Sequence, residues 1–263
     1  MRDTDAAWER HGATDPYHSV LTSARFDTAD MDEDSRAAFF ESGRRYIDHV
    51  IEVVHDRFDP DFRPKRALDF GCGVGRLTTA IARWADDVVG VDISPSMLAE
   101  ARANCERLGI TNATFHRSDD RLSALSPPFD FLNSSIVFQH IPPKRGEAVL
   151  RRMVELLTED GIGALQFTYA FESATPPLRR ALTRAYWSVP GVWQLRNLVK
   201  REPMNAPKME MNAYDVGRLL VILQEGDCHS VSLRFTEAGV FGYRLYGVIL
   251  FFQKRRLDVG VFS

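Results

Sequence analysis

Three glycines and a nearby carboxylate are the first residues in this chain whose spacing could do chemistry. Gly71, Gly73 and Gly75 lie in "LDFGCGVGRLTTAIARW", between an apolar run and a helical pattern, and Asp69 precedes them. A glycine-rich turn between a strand and a helix lets a ligand approach the backbone and the helix N-terminus. The spacing is G-x-G-x-G, which lacks the last glycine of a dinucleotide-binding turn, and the segment has no phosphate-binding lysine. The pattern therefore favours a ligand without phosphates.

Two further carboxylates follow the next predicted strands. Asp92 ends "VVGVD", at about the distance downstream where an acidic residue binds ribose hydroxyls. Asp119 follows "FHRS", where it could accept a hydrogen bond from an exocyclic amine, and its neighbour Asp120 competes for that place. Asp69, at the end of the first strand, would face a cation. Together these positions predict a ligand with an ammonium group, a ribose and an amino-bearing base.

The elements that must position these carboxylates are short apolar runs alternating with helical patterns. The apolar runs are "RALDF", "VVGVDI", "ATFHRS", "FDFLNSSIVF" and "IGALQFTYA". Helices are predicted up to Trp84, over Ser94–Leu108 and over about Arg145–Leu157, with a turn at Asp160 and Gly161 before the last run. This alternation indicates repeated βα units, so we predict an α/β fold with a doubly wound, mostly parallel sheet.

The flanking segments have a different character. Residues 1–36 are rich in Asp and Glu and predict an irregular arm with a turn at "DPY", whereas Phe39–Phe58 has the spacing of an amphipathic helix. Residues 172–211, which combine aromatic and basic side chains, predict an inserted cap. A helix over about Asn212–Gly226 and the runs "HSVSLRFTE" and "YRLYGVILFFQKR" then predict an antiparallel hairpin at the sheet edge.

Composition limits the function classes. With 263 residues and 44% hydrophobic content, the chain can bury one substantial core, and its net charge of −3 argues against a general polyanion binder. The start of the chain lacks the apolar segment of a signal peptide, and the longest apolar run, "YGVILFF", is too short to span a bilayer. We therefore expect a soluble cytoplasmic protein. Cys72, Cys105 and Cys228 form no close pair, so we expect free thiols and no metal site.

The segments "LDFGCGVGRLT", "VVGVDISPSML", "FHRSDD" and "FDFLNSSIVFQHIPP" together resemble the successive motifs of the class I S-adenosylmethionine-dependent methyltransferases, small-molecule type. The resemblance covers about Lys65–Ala170. It implies a seven-stranded Rossmann-like sheet, S-adenosylmethionine as the cofactor and S-adenosylhomocysteine as the product.

The resemblance also implies roles for individual positions. Asp69, Gly71, Gly73 and Gly75 would line the methionine part of the cofactor, while Asp92 would hold the ribose hydroxyls. The adenine amine would meet Asp119 or Asp120. Weaker carry-overs are walls around the adenosine at Ile93, Met97 and Arg121, a chain segment beside the cofactor at Asn133 and Ser134, and lid contacts at Tyr17, Phe40 and Ser42.

With the resemblance, the chain divides into four expected segments. They are an N-terminal arm and helical lid (1–62), a cofactor-binding core (63–171), a cap over the acceptor site (172–211), and a C-terminal helix with edge strands (212–263). An apolar acceptor wall is predicted from Tyr169, Tyr186, Trp187 and Trp193. The basic and aromatic stretch 178–201 could instead meet an anionic membrane surface, or form an ordinary solvated cap.

His140, in "SIVFQHIPP", is the candidate general base, because a neutral imidazole near pH 7 can accept a proton from an acceptor hydroxyl. A histidine that only hydrogen-bonds to its loop is the alternative. Cys72 is interpreted as a small residue that fills the turn, since methyl transfer from a sulfonium needs no covalent enzyme intermediate.

These observations lead to the hypothesis of methyl transfer to oxygen, less readily to nitrogen, of a small molecule such as a natural product, sugar or lipid-linked intermediate. A non-catalytic scaffold that binds S-adenosylmethionine or S-adenosylhomocysteine is the alternative. Nucleic acid is not expected as an acceptor, because "NSSIVFQHIPP" lacks the Asn/Asp-Pro-Pro-aromatic segment that holds a flipped base. A protein arginine is disfavoured because no pair of glutamates follows that strand. The oligomeric state stays open.

Overall fold

The computed structural model describes residues 4–21, 28, 31–173, 211–240 and 243–255. Its strands are β1 (Arg66–Phe70), β2 (Asp87–Asp92), β3 (Ala113–Arg117), β4 (Phe129–Ser134), β5 (Leu157–Ser173), β6 (Ser230–Val240) and β7 (Tyr243–Gln253). They form one seven-stranded sheet in the order β3-β2-β1-β4-β5-β7-β6. Strands β1 to β5 pair in parallel, whereas β7 runs antiparallel to both β5 and β6. The predicted doubly wound sheet and its edge hairpin are confirmed.

The helices are α1 (Thr4–Thr14), α2 (Pro16–Val20), α3 (Glu33–Arg57), α4 (Thr78–Ile81), α5 (Pro95–Leu108), α6 (Pro143–Leu156) and α7 (Val216–Glu225). A short 3-10 turn at Phe138–His140 follows β4. Within the part of the chain that the structure describes, no helix combines the length and apolarity needed to cross a membrane.

Both faces of the central strands β1, β2 and β4 are buried, which explains why these strands read as continuous apolar runs. On one face, Ala67 and Phe131 pack in a cluster with residues of α3 and α4, such as Ile51 and Ile81. On the other face, Leu68 belongs to a cluster with residues of α6 and α7. These two layers fix the carboxyl ends of β1, β2 and β4 side by side.

The N-terminal segment differs from the expectation. Residues 1–36 were expected to form an irregular arm, but Thr4–Thr14 is helical, and "DPY" begins α2, with Asp15 accepting a hydrogen bond from the His18 backbone. The apolar pattern did not reveal α1 because Gly12 is the one buried residue that this helix contributes. Its contacts with the rest of the molecule are largely polar, as described below.

Several boundaries of helices and strands also differ from those predicted from the sequence. The predicted turn at Asp160 and Gly161 lies inside β5 as an irregularity, where Phe129 pairs with Leu157 but Phe131 pairs with Ile162. Asp160 there has a φ of 61°. Helix α7 begins at Val216 rather than Asn212, because the Asp215 side chain caps it by accepting from the Arg218 backbone. The helix after β1 ends at Ile81, short of Trp84.

The predicted segment boundaries remain predictions. Most of the proposed cap 172–211 lies outside the described residues, and with it the stretch 178–201 and the side chains of Tyr186, Trp187 and Trp193.

Candidate functional site

A cleft opens at the carboxyl ends of the parallel strands, as expected for an open α/β sheet. It encloses about 960 Å³, its open mouth included. Four strand ends and the N-terminal helix α1 contribute to it. The residues at or just after the strand ends are Phe70, Gly71 and Gly73 (β1), Asp92 and Ile93 (β2), Ser118, Asp119 and Asp120 (β3), and Ser135, Ile136 and Val137 (β4). Helix α1 adds Thr4, Asp5 and Trp8. The fold therefore brings most of the predicted strand-end residues to one place.

The glycine loop requires glycine because of its backbone. Gly71 and Gly73 have φ angles of 71° and 53°, in the left-handed region that residues with a side chain rarely adopt. A Cβ at Gly71 would lie 2.4 Å from Cγ2 of Val137, and one at Gly73 would lie 2.9 Å from Cγ2 of Val20. The loop is bare because the segment after β4 and the end of α2 both approach it closely.

Gly75 has a different role from the other two glycines. Its φ is 83°, and an added Cβ would lie 3.4 Å from Cβ of Ala101 on α5. It does not belong to the cleft lining. Gly75 therefore allows the loop to turn against α5 instead of bordering the ligand space.

Asp92 lines the cleft beside the glycine loop. Its Oδ2 accepts a hydrogen bond of 2.9 Å from the Gly73 backbone, and its Oδ1 accepts one of 2.9 Å from the Ser94 backbone. Burial raises the pKa of Asp92 to about 6, although these backbone hydrogen bonds favour the ionised form. The carboxylate thus connects the glycine loop with the N-terminus of α5.

Asp69 lies beneath the cleft rather than on its wall, contrary to the expectation that it faces a ligand. It is 2% exposed, and its two oxygens accept hydrogen bonds of 2.6 Å from Thr78 Oγ1 and 2.8 Å from Asn133 Nδ2. Burial raises the pKa of Asp69, against the effect of these hydrogen bonds. In this structure the carboxylate joins β1 to α4 and β4.

Asp119 and Asp120 both line the cleft but have different partners. Oδ1 of Asp119 accepts from the backbone nitrogens of Arg121 and Ser123, at 3.0 and 2.9 Å, and the bond from Ser123 contributes most to a lowered pKa of Asp119. Asp120 forms an ion pair with Arg145. Asp119 is therefore the better candidate for an external partner, while Arg121 lies outside the cleft lining.

The N-terminal lid, Thr4–Val20, covers the cleft through polar contacts. Glu9 accepts hydrogen bonds from Ser94 Oγ at 2.7 Å and Ser96 Oγ at 2.6 Å, at the N-terminus of α5, where a negative charge is favoured. Burial opposes ionisation of Glu9, but the hydrogen bonds from Ser96 and Ser94 outweigh this effect, so the pKa of Glu9 is lowered. Asp5 pairs with Arg145 at 2.7 Å. These contacts hold α1 over the cleft.

Trp8 is a cleft residue that the sequence reasoning missed, together with Asp5 and Arg145. The Trp8 ring lies 4.8 Å from the imidazole of His140, centroid to centroid, at an angle of 60°. An isolated tryptophan in an acidic segment was the available signal, but it gave no indication of where the segment folds. Only the docking of α1 shows that Trp8 covers the site.

His140 is 5% exposed and lines the cleft from the 3-10 turn after β4. Its Nε2 lies 3.1 Å from Nε2 of Gln139. Since an amide nitrogen only donates, the imidazole nitrogen facing it accepts and carries no proton. Gln139 Oε1 accepts from Thr168 Oγ1 at 3.0 Å, in agreement with this amide orientation. The geometry supplies a neutral imidazole at the cleft wall.

Four other predicted site residues lie outside the cleft lining. The hydroxyl of Tyr17 is bonded to Glu100 at 2.5 Å and Asn104 at 2.9 Å, which fixes α2 against α5. Asn133 holds Asp69, and Ser134 donates to the Phe70 backbone at 3.0 Å. Tyr169 packs beside Phe235 and Tyr246 on β6 and β7. Ile93 and Met97 do line the cleft, as expected.

The cysteines have no place in this site. Cys72, Cys105 and Cys228 are buried free thiols, and burial raises the pKa of Cys105 to about 11. Among the residues that the structure describes, no group of three or more His, Cys, Asp or Glu side chains could hold a metal ion.

Comparison with known proteins identifies the domain that carries the cleft. Residues 67–161 match the family model described as "Methyltransferase domain". The ubiquinone biosynthesis O-methyltransferase of Cereibacter sphaeroides is 32% identical over 122 residues, which cover 44% of this chain and 49% of that protein. A 23S rRNA (uracil(1939)-C(5))-methyltransferase of Xanthomonas euvesicatoria is 31% identical over 124 residues, covering 45% of this chain and 26% of that protein. The chain thus spans about half or less of the length of these curated relatives.

A similar fold is found among solved structures. The magnesium protoporphyrin IX methyltransferase of Synechocystis with bound S-adenosylmethionine matches with a TM-score of 0.55 and 16% identity, over 95% of this chain and 98% of that chain. At this identity the likeness concerns the fold alone. Residues 67–161 thus match a methyltransferase domain, and the strand order and the glycine-loop cleft have the arrangement of the class I, S-adenosylmethionine-dependent methyltransferase fold.

Proposed function

We propose that this chain transfers the methyl group of S-adenosylmethionine to an oxygen atom of a small molecule and releases S-adenosylhomocysteine. The observation that carries the proposal is the meeting of the glycine loop and the Asp92 carboxylate on the floor of one cleft. The similarity to a protein named as an O-methyltransferase supports oxygen as the methylated atom. Nitrogen is the less favoured alternative.

The cleft residues fit the cofactor. Asp92 can accept from the ribose hydroxyls, since it lies at the end of β2 with its carboxylate bordering the cleft. Asp119, after β3, is placed to accept from the adenine amine, and Ile93 and Met97 supply apolar surface between them. Gly71 and Gly73 line the cleft without a side chain, so a ligand can approach the loop backbone.

Methyl transfer from a sulfonium requires little from the protein beyond positioning the acceptor atom. The sulfonium supplies an already activated methyl group, and holding the acceptor atom in line with it can contribute about 7 to 11 kcal/mol. His140 is the cleft residue that can accept the acceptor proton, because its imidazole is neutral in this geometry. To do so it must exchange its contact with Gln139 for one with the acceptor. Trp8, whose ring lies 4.8 Å from that of His140, would exclude water from that contact.

The charge of the cleft favours one class of acceptor. The wall predicted from Tyr186, Trp187 and Trp193 lies outside the described residues, as does the stretch 178–201 with its predicted membrane contact. Tyr169 is described, but it packs against β6 and β7 and does not line the cleft. RNA is the acceptor named for one relative. The carboxylates of Asp5, Asp92, Asp119 and Asp120 around the cleft oppose a polyanion, so we favour a small molecule.

Titration calorimetry with S-adenosylmethionine and S-adenosylhomocysteine, followed by transfer of a labelled methyl group, tests the proposal. We expect both ligands to bind and label to appear on members of a panel of phenols, catechols and sugars, but not on ribosomal RNA. A folded protein that binds neither ligand would refute the proposal. Transfer to RNA with none to the panel would overturn the acceptor class, and binding without any transfer would favour the scaffold alternative.

His140→Gln tests the proposed base. We expect a loss of turnover of about 10²-fold or more, the usual contribution of a general base, with nearly unchanged affinity for S-adenosylhomocysteine. His49→Gln is the matched control, because His49 is an exposed residue of α3 whose ring lies 3.6 Å from Glu52. If turnover of His140→Gln equals that of the wild type, His140 is structural.

A further inference from the structure

The two edges of the sheet are built differently. Strand β3 forms one edge with five residues, and its last two, His116 and Arg117, are exposed. At the other edge, β6 has 11 residues, contains no proline or lysine, and pairs with β7 in a register without a bulge. Short length, charged side chains, proline and bulges are the usual features that keep an edge strand from pairing with another strand. Among the described strands, β6 is therefore the edge best suited to accept a further strand.

One face of β6 is apolar and exposed. Val231, Leu233 and Phe235 alternate along the strand and so share a face of the sheet. Their partners on β7 are buried in the core cluster to which α6 and α7 contribute. Leu233 is nevertheless 39% exposed and Phe235 79% exposed. The apolar layer of the core thus continues beyond the region that the helices cover, out to the edge of the sheet.

The opposite face of β6 is polar. Ser230, Ser232, Arg234 and Thr236 alternate with the apolar residues, and Arg234 donates to Ser232 Oγ at 3.2 Å. Residues that lie opposite each other in an antiparallel pair share a face, so a strand with one apolar and one polar face pairs best with a strand of the same pattern. A second copy of β6 has this pattern, and it carries the same unprotected edge.

The residue pattern favours one register for a pair of β6 strands. The two-fold axis of such an antiparallel pair is perpendicular to the sheet and keeps each face on its own side, so one residue lies opposite its own copy. With Leu233 at the axis, Val231 lies opposite Phe235, and Ser232 lies opposite Arg234. In this register apolar side chains meet apolar ones on one face, while polar side chains meet polar ones on the other.

The neighbouring registers match less well. An axis at Arg234 would place two guanidinium groups opposite each other, which is unfavourable. An axis at Phe235 would place Glu237 opposite an apolar side chain, and an axis at Ser232 would place Phe235 opposite His229. The register with Leu233 at the axis avoids all three mismatches.

We propose that a second copy of this chain pairs with the first through β6, antiparallel and about a two-fold axis at Leu233. The two sheets then form one continuous sheet, which buries the apolar side chains at the edge and adds backbone hydrogen bonds between the subunits. Neither Leu233 nor Phe235 lines the cleft, and β6 lies at the opposite end of the sheet from β3. Pairing therefore leaves the cleft open and does not depend on the proposed function.

A cysteine at the axis tests the register directly. Opposite residues of an antiparallel pair have Cα atoms about 4.5 to 5.5 Å apart, a separation that a disulfide can span. We expect Leu233→Cys to form a covalent dimer on mild oxidation, visible on a non-reducing gel. The native cysteines are buried and do not compete.

Phe235→Cys is the matched control, because position 235 is the more exposed of the two but faces Val231 of the other copy. It should stay monomeric on the gel. A covalent dimer of Phe235→Cys but not of Leu233→Cys would overturn the register, and equal crosslinking of both variants would indicate random collision and overturn the interface.

Sedimentation analysis of the full chain tests the interface without crosslinking. We expect the wild type to sediment as a dimer, and Leu233→Lys to raise the dimer dissociation constant about a hundredfold or more, because two buried leucines are replaced by two like charges that face each other. Val221→Lys should remain dimeric, since Val221 is 41% exposed on α7 and lies outside β6. A monomeric wild type, or a Leu233→Lys variant that dimerises as the wild type does, would overturn the proposal. Crosslinking of Leu233→Cys decides the question if Leu233→Lys does not fold.

Discussion

The floor of the cleft and its lid are held in place by different kinds of interaction. The floor consists of the glycine loop and Asp92, which are joined by backbone hydrogen bonds and lie between buried strands. The lid, Thr4–Val20, docks through side chains such as Glu9 and Asp5, whose partners lie 85 to 140 residues away in sequence. The floor is therefore part of the folded core, whereas the lid depends on a few polar contacts.

Helix α1 illustrates why the lid is the weaker region. It has 11 residues, a length at which an isolated helix is marginal in water, and Gly12 is its one buried residue. Each partly exposed hydrogen bond or ion pair contributes only about 0.5 to 1.5 kcal/mol. We expect the lid to open far more often than the core unfolds, which would give ligands a route into the cleft.

The largest effect on stability is expected for Gly71→Ala, which changes the glycine loop of the cleft floor. The φ of 71° and a Cβ only 2.4 Å from Val137 together should destabilise the fold by about 2 to 6 kcal/mol. Gly109→Ala is the matched control, because its φ is 67° but nothing lies within 4 Å of the added Cβ. It should cost only about 1 to 2 kcal/mol. Equal losses in chemical denaturation would show that the close approach of Val137 is unimportant.

Asp92→Ala comes next, and it separates ligand binding from fold stability. Removing a charged acceptor from the ribose site should weaken S-adenosylhomocysteine binding by about tenfold to a few hundredfold. Calorimetry measures this loss, and a thermal unfolding curve checks that the variant is folded. Unchanged affinity would mean that Asp92 supports the loop without contacting the ligand.

A smaller, pH-dependent effect is expected at the same residue. The pKa of Asp92 is raised by burial to about 6, so the carboxylate is mostly ionised at pH 7 and mostly protonated at pH 5. Ribose hydroxyls donate better to the ionised form, and affinity should therefore fall by about threefold to tenfold from pH 7 to pH 5. Asp92→Asn should lack this dependence. A wild-type affinity that does not change over this range would contradict the assignment.

The raised pKa has the opposite consequence for the stability of the ligand-free chain. Since the folded state binds the proton more tightly than the unfolded state does, the contribution of Asp92 to stability declines as pH rises from about 4 to about 6. Stability and affinity should thus move in opposite directions over this pH range.

Glu9→Gln should have the smallest effect, since it weakens the lid alone. It removes the charge that accepts from Ser94 and Ser96, so we expect a loss of about 0.5 to 1.5 kcal/mol in lid docking. Hydrogen exchange should become faster in Thr4–Thr14 but not in β1 or β2. Glu41→Gln is the control, because Glu41 pairs with Arg44 on the exposed surface of α3. Faster exchange throughout the sheet would show that lid and floor form one cooperative unit.

The sequence predicted the floor well for a local reason. A strand, a turn with positive φ and a helix follow each other directly, so "LDFGCGVG" and "VVGVD" were sufficient to place Gly71, Gly73 and Asp92 at one sheet edge. The alternating pattern likewise predicted the parallel sheet and the hairpin of β6 and β7, which the structure confirms.

The same reasoning failed where a side chain's partner is distant in sequence. Asp69 has the position of a ligand contact, yet Thr78 and Asn133 occupy both its oxygens. Tyr17 was expected at the ligand and instead bonds to Glu100 and Asn104. Nothing in the local pattern distinguishes a carboxylate that faces a cleft from one that joins two elements beneath it.

By itself, then, the sequence determined the sheet, the bare loop and the carboxylates at the strand ends, because these depend on backbone conformation and on short-range periodicity. Only the tertiary structure decided that α1 lies over the cleft, that Trp8 meets His140, and that Arg76 is buried beneath α3. Those features depend on contacts between residues far apart in the chain, whose free energies arise only when the folded core brings them together.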